Sequence, residues 1–448
     1  MRIIVAGLGD VGHQLAKKLS NEKNDIIAID IDENKLSRLL DSADILTLHG
    51  SSTSIKTLQK AQVDGADLLV SVTSSEEVNI MTCIIGKKLG AKKTIARIAN
   101  EEYLEPDNQE YFAKIGIDFM IYPEDLAAKE IVNLINRTAA TDIVEFQKGK
   151  ISVIGLRLDK NAPIIQKSIS EVSKLNPSTD FRVVAIYRAF RTIIPKGNDK
   201  FLPNDQVFVI SKSEAIEQVL KLAGKKDIKF NNIMILGGGK IGRKVASLIS
   251  NKMNVKIIDS NQHKAEELAE SLPQTLVIQG DGRDIDLLAQ EGIIDVDAYI
   301  AVTEDAETNI ISCLLAKHLG VKKTIALVDK VEYVPLTQTI GLDSLINKKL
   351  IAANNISRYI KRGELLSYAS LEGIDAEVLE FKAHFGSDIT KDLIKDLDFP
   401  KGAIVGGIVR GDESIIATGN TQIKPGDRVV VICLPDKVSE VEKLFKQL

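Results

Sequence analysis

The sequence predicts an α/β fold: two doubly wound parallel-sheet Rossmann domains, each followed by a small α+β module, as a tandem duplication. Three observations carry this. Apolar strands alternate with helix-length amphipathic runs from the first residues onward. A Gly-x-Gly-x-x-Gly turn follows the first strand. The same scheme then restarts at Ile233, where Ile3 stood before.

The opening stretch sets the chemistry. Residues 3–6 form a strand, Gly7-Leu8-Gly9-Asp10-Val11-Gly12 follows, and a helix-like run over 13–19 leads to a second strand at 26–29 that ends at Asp30. This is the order of a dinucleotide-binding β-α-β unit. The first glycine allows the tight turn, the second lets the backbone approach a pyrophosphate, and the third lets the helix pack closely on the strand. The closing acid can accept hydrogen bonds from a ribose, and N–H groups at the helix start would hold phosphates.

The rest of the first half extends the alternation. Helices are expected over 34–40, 57–61, 76–89 and 108–114, and strands over 44–48, 66–72, 94–98 and 119–122. Ligands of such sheets sit at the carboxyl ends of the strands. That rule gathers residues 7–12, Asp30, Ser51, Thr73, Ser74 and Arg97 into one candidate nucleotide site. Residues 124–137 read as a helix leaving the domain. Its Ile131, Leu134 and Ile135 form an apolar face of the kind that contacts another domain or subunit. Strands at 151–158, 181–187 and 207–210 with helices at 166–172 and 213–222 make a β-rich module, and Gly224-Lys225-Lys226-Asp227 reads as a linker.

The second half repeats these parts. Gly237-Gly238-Gly239-Lys240-Ile241-Gly242 is followed by an acid at Asp259, a Gly280-Asp281 turn, and Val302-Thr303-Glu304 where Val72-Thr73-Ser74 stood. Glu307, Asn309, Ile310 and Cys313 match Glu77, Asn79, Ile80 and Cys83, and residues 319–326 echo 89–96. A long helix over 347–361 takes the place of 124–137, and Pro425-Gly426-Asp427 parallels Pro203-Asn204-Asp205. The expected domains are therefore 1–137, 141–224, 231–363 and 368–448. The second candidate site comprises Gly237, Gly239, Lys240, Ile241, Gly242, Asp259, Asp281, Thr303 and Glu304.

Composition narrows the function classes. Charges of both signs are interspersed, 58 basic against 62 acidic for a net −4, which gives no electrostatic case for nucleic acid or a lipid surface. Cys83, Cys313 and Cys433 are too scattered for a disulfide framework or a zinc motif, so no metal site is expected. No apolar run approaches the roughly 18 residues that span a bilayer. Met1-Arg2 leads straight into a strand without a secretory apolar region, so a cytosolic chain is expected.

The order of glycine-rich Rossmann unit, exit helix and β-rich module, given twice, resembles the TrkA family, the peripheral subunits of bacterial Trk potassium-uptake systems. The most specific points are the two Gly-x-Gly-x-x-Gly turns, Gly50-Ser51 and Gly280-Asp281, and Ala96-Arg97-Ile98 followed by Tyr103. The resemblance implies a regulatory subunit without catalysis of its own. It implies a ring on the cytoplasmic face of a membrane-embedded potassium transporter, two chains giving four Rossmann units, whose shape NAD(H) or ATP/ADP changes. It also implies that Arg97 approaches nucleotide phosphates.

The halves depart from each other at that site. Arg97 becomes Leu327, Ser51 becomes Asp281, and His13 becomes Arg243, a permanent cation. Equal ligand preference is not expected, and the first half is the stronger candidate for phosphate. Asp30 and Asp259 are weighed against plain strand-end carboxylates, and their spacing from the glycines favours ligand contact. Cys83 and Cys313 read as small core residues, and His318 as a surface one. The rival class is an NAD-dependent oxidoreductase, which needs an acid or base beside the nicotinamide; residues 138–230 contain no histidine or cysteine.

Overall fold

The apolar strands and their glycine and Ser/Thr/Asn/Asp punctuation fold, among the described residues, as four sheets. This computed structural model describes all residues except 22–23, 41–44, 137–141, 148, 176–177, 190, 226–229, 337–339, 362–366, 371–375 and 447–448. The strand start expected at Asp44, the helix end at Arg137, the linker residues Lys226 and Asp227, and the boundaries at 137, 141, 363 and 448 lie outside the described residues.

The first sheet consists of β1 (Arg2–Ala6), β2 (Asp25–Asp30), β3 (Leu46–His49), β4 (Leu68–Ser71), β5 (Lys93–Arg97) and β6 (Phe119–Ile121). They are hydrogen-bonded in the order β3-β2-β1-β4-β5-β6, all parallel. The chain winds one way from β1 to β3 and the other way from β4 to β6, so the crevice at the carboxyl ends of β1 and β4 is the switch point where ligands of such sheets bind. The registers Ala6↔Ile29 and Ala6↔Ser71 set Gly7 directly at that crevice.

An antiparallel sheet follows: β7 (Asp142–Phe146), β8 (Ile151–Arg157), β9 (Phe181–Arg188), β10 (Arg191–Ile193) and β11 (Gln206–Lys212), in the order β10-β9-β11-β8-β7. The edge strands β7 and β10 are not evident in the sequence, because a short edge strand carries little periodic signal. The second parallel sheet holds β12 (Asn232–Leu236), β13 (Asn254–Asp259), β14 (Thr275–Gln279), β15 (Ala298–Ala301), β16 (Lys323–Leu327) and β17 (Ser344–Ile346), in the order β14-β13-β12-β15-β16-β17. The last sheet contains β18 (Ser367–Ser370), β19 (Glu377–Lys382), β20 (Ala403–Arg410), β21 (Glu413–Ile416) and β22 (Arg428–Cys433), in the order β18-β19-β22-β20-β21.

The chain forms two compact units: residues 1–135 with 230–360, and residues 136–229 with 361–448. The first unit joins the two parallel-sheet domains through exchanged exit helices. Helix Pro123–Asn136 lays Ala127, Ala128, Ile131 and Ile135 into the core of the second sheet, beside Ile233, Val245 and Val255. Helix Lys348–Lys361 lays Ala352, Ala353 and Ile356 into the core of the first, beside Val5, Leu15 and Ile95. The apolar face expected to contact another domain or subunit is thus covered by another domain of the same chain, the core of the other half.

The second unit pairs the two antiparallel modules through a shared core that includes Val153, Ile210, Val378, Val430 and Ile432. The repeated turns have a local cause. Asp205, buried at 1% exposure, accepts Nε and a terminal nitrogen of Arg188, both at 2.7 Å, and the Leu202 N–H at 2.8 Å. Asp427 does the same with Arg410 and the Lys424 N–H. Each pair holds its geometry because the buried carboxylate is gripped by two parallel arginine N–H groups and by the N–H of its own turn.

Candidate functional site

The glycine loop is built by close packing. Gly7 takes φ +92°, and a Cβ there would lie 2.7 Å from the Thr73 N; a Cβ on Gly12 would lie 1.8 Å from the Gly7 carbonyl oxygen. A Cβ on Gly9 would meet nothing within 4 Å. The loop is therefore closed against its own sheet at Gly7 and Gly12 and open outward at Gly9, where a ligand can approach. Helix Asp10–Asn21 begins here, and its first turn leaves N–H groups without intrahelical partners.

Asp30 sits at the end of β2, 7% exposed. Its Oδ2 accepts the Leu8 N–H at 2.5 Å and its Oδ1 the Asp32 N–H at 2.9 Å. Asp259 repeats this with the Gly238 and Asn261 N–H groups at 2.8 and 3.0 Å. These carboxylates brace the loops first, and they offer a sugar only their remaining lone pairs.

The first cleft, of about 600 Å³, gathers Gly7, Gly9, Asp10, Val11, Asp30, Ser51, Thr73, Ser74 and Arg97. The Arg97 guanidinium has no hydrogen-bond or ion-pair partner among the described residues. Leu8 and Gly12 do not line the cleft: Leu8 is buried in the core beneath, and Gly12 packs on Gly7. The cleft also contains Lys35, Lys348 and Lys349, which the sequence reading missed. It is thus walled by four cations against two carboxylates.

The second cleft, of about 450 Å³, gathers Gly237, Gly239, Asp259, Asp281, Thr303 and Glu304 with Lys264 and Arg283. Lys240 and Ile241 border an adjoining hollow together with Leu327 and Glu124, and Gly242 packs on the Gly237 carbonyl. Two cations face four carboxylates here, Asp305 being the fourth. Asp281 is an ion-paired carboxylate and not an isolated one. Arg283 grips it through Nε at 3.1 Å and a terminal nitrogen at 2.8 Å, and these hydrogen bonds hold the Asp281 carboxyl below its ordinary range. Arg243 is exposed and lines neither cleft. His13 is pushed down by burial and by Lys17, so it adds little positive charge at neutral pH.

Asn79 and Asn309, seen in the sequence only as repeated residues, hold both sites in shape. Asn79 Oδ1 accepts the Thr73 N–H and hydroxyl, each at 2.8 Å, and its Nδ2 donates to the Thr73 and Arg97 carbonyls at 3.2 and 2.9 Å. Asn309 makes the equivalent bonds to Thr303 and Leu327. Each asparagine therefore locks the end of one strand to the next, and the first one fixes the backbone that carries Arg97. The cysteines stay structural. Burial raises the Cys83 thiol far above its ordinary value and the Cys313 thiol to about 12.

Comparison with known proteins now decides the family. The TrkA-N domain profile matches residues 3–123 and 233–348, and the TrkA-C domain profile matches 153–224 and 378–446. Trk system potassium uptake protein TrkA homolog 1 of Methanosarcina mazei is 34% identical, with both chains covered end to end. The chain belongs to the TrkA family. The TrkA of Vibrio alginolyticus is 34% identical over all of this chain and 99% of its own. In structure, the GsuK channel superposes with TM-score 0.63 at 18% identity, covering 99% of this chain and 78% of its own. The GsuK RCK domain gives 0.61 at 17%, covering 99% and 94%. Those two likenesses speak to the fold, and they match the paired Rossmann arrangement seen here. Among the described residues, no helix of this TrkA-family chain is long and apolar enough to cross a membrane.

Proposed function

We propose that this chain is the nucleotide-binding regulatory subunit of a Trk-type potassium-uptake system. It binds NAD(H) or ATP/ADP in its glycine-loop clefts and gates a membrane-embedded potassium transporter without chemistry of its own. The observation that carries the ligand class is the first cleft. An open Gly9 edge, a helix start and an unpaired Arg97 converge at a sheet switch point, which suits a phosphate-bearing nucleotide. A structural neighbour described as the GsuK channel bound to NAD makes that dinucleotide the first to try. Membership in the TrkA family supports the transporter as partner and a position on the inner face of the membrane through it. A dimer with four Rossmann units follows from the family resemblance alone, since the exit-helix faces are used within the chain.

A binding role accounts for both clefts, because what they present is N–H donors, cations and bracing carboxylates. An oxidoreductase would need a proton-transferring group beside the nicotinamide. The test uses calorimetry of the full chain with NAD, NADH, ADP and ATP, beside potassium uptake in cells that depend on this subunit. Saturable binding, and uptake that responds to Arg97→Leu, are expected. Absence of binding to all four, or robust NAD-coupled oxidation in a metabolite screen, would overturn the reading.

A further inference from the structure

Lys348 and Lys349 open the second exit helix, yet they line the first cleft, more than 200 residues from its glycine loop in sequence. Lys349 Nζ lies 2.6 Å from Asp10 Oδ2, at the first residue of the glycine-loop helix. Lys348 Nζ reaches Glu124 Oε1 at 3.2 Å. Resting on the nucleotide reading above, we propose that Lys348 and Lys349 are phosphate-binding residues of the first cleft, so that a nucleoside di- or triphosphate ties the glycine loop of one half to the exit helix of the other.

The electrostatics favour an anion at this place. Asp10 is largely exposed, at 70%, while Lys349 is at 20%. The ligand's phosphate can therefore take over from Asp10, whose carboxylate returns to water at little cost, since a half-exposed ion pair is worth little. Lys348 and Lys349 also lie at a helix start, whose dipole favours negative charge. The second cleft itself contains neither lysine. In the hollow beside it, with Lys240 and Ile241, Lys348 lies next to the Glu124 carboxylate with which it is paired, so that its charge is met there. This difference, more than Arg97 alone, makes the first cleft the one for multiply charged phosphates. It also gives the ligand a grip on an element of the other half.

The test measures binding of adenosine, ADP and ATP to the full chain by calorimetry. Lys349→Gln and Lys348→Gln should each weaken ATP by about threefold to tenfold, less than the full value of a charge-assisted hydrogen bond because each lysine already has a partner. Adenosine binding should hardly change. Asp10→Asn should tighten ATP, whereas a merely structural Asp10–Lys349 pair would make it weaker or neutral. Lys349→Arg should retain most of the affinity. In the wild type, ATP should slow acylation of both amines as read by mass spectrometry, a readout that needs no variant to fold. Unchanged ATP affinity in both glutamine variants, or no protection of the amines, overturns the proposal. If Arg97→Leu still weakens ATP in that case, the nucleotide reading stands; if the wild type binds no nucleotide, both fall.

Discussion

Lys348 and Glu124, the first-turn residues of the two exit helices, form an ion pair at 3.2 Å. The pair marks the point where the two halves of the chain exchange helices. Ile131 on one helix and Ile356 on the other are each fully buried in the opposite half's core. Removing either should therefore loosen the half to which it does not belong in sequence. Ile131→Ala is expected to cost about 2–5 kcal/mol and to speed amide exchange in β12 more than in β1. Ile356→Ala should do the reverse. Exchange that quickens mainly in the same half would contradict the packing.

The exchange also predicts what happens when the chain is cut. A fragment of residues 1–224 would leave the face of Ala127, Ala128, Ile131 and Ile135 without the core it fills, and would leave its own sheet without Ala352, Ala353 and Ile356. Such a fragment should dimerise by trading helices with a second copy, or aggregate. Light scattering showing a stable monomer would rule this out. For the same reason, comparison of the two clefts requires the full chain, with one cleft altered at a time.

Arg97, like Lys35, is a cleft cation without an ion-pair partner among the described residues, and its planar guanidinium can hold two phosphate oxygens at once, so its loss should be felt in the ligand. Arg97→Leu is expected to weaken NAD or ATP by about ten- to a hundredfold, the worth of one or two charge-assisted hydrogen bonds. Raising the salt concentration should narrow the gap between variant and wild type, because solvent ions screen such contacts. In cells the variant should blunt nucleotide control of uptake, since only a ligand that binds two states differently can shift them. Leu327→Arg should strengthen phosphate binding in the second half. Equal affinities throughout the series would dismiss the asymmetry.

In the second cleft the sign of the charge effect depends on Arg283. Its side-chain hydrogen bonds, then its N–H, hold the Asp281 carboxyl below the ordinary range. Arg283→Leu should let Asp281 titrate closer to its usual value and should weaken anionic ligands there by leaving the carboxylate uncovered. Carboxyl titration by NMR beside calorimetry reads both effects. An unmoved Asp281 titration would show that Arg283 does not govern it.

Asp297, at the amino end of β15, gives a pH test. Burial alone would raise its pKa, but Lys322 at 2.8 Å and the Asn231 and Asn232 N–H groups at 2.8 and 3.1 Å outweigh it, and the carboxyl is depressed. A depressed acid stabilises the fold above its unfolded pKa, and that contribution is lost as pH falls through the lowered folded value. Asp297→Asn should therefore cost about 1–3 kcal/mol at pH 7 and shrink the loss of stability on going from pH 5 to pH 2. Denaturant titrations at the two pH values check this. A variant with the full wild-type pH dependence would contradict it.

The sequence by itself determined the parallel-sheet domains, their duplication and most of the cleft. Those features are local. Gly7, Gly9, Asp30 and Arg97 sit at strand ends, where the alternation of strands and helices fixes which ends meet, and the repeat at Gly237 and Asp259 doubles the signal. The tertiary structure alone decided the rest, because it depends on contacts between residues far apart in the chain. Hydrophobic periodicity shows that Ile131 must be buried, but not in which core, since burial against either half removes the same apolar area from water. Where the two exit helices go in turn decides that Lys348 and Lys349 line the first cleft and that Glu124, paired with Lys348, borders the hollow beside the second. Side-chain pairing had the last word on charge: sequence shows that Asp281 stands where Ser51 stood, and only the fork of Arg283, two residues on, shows that the added charge is already met.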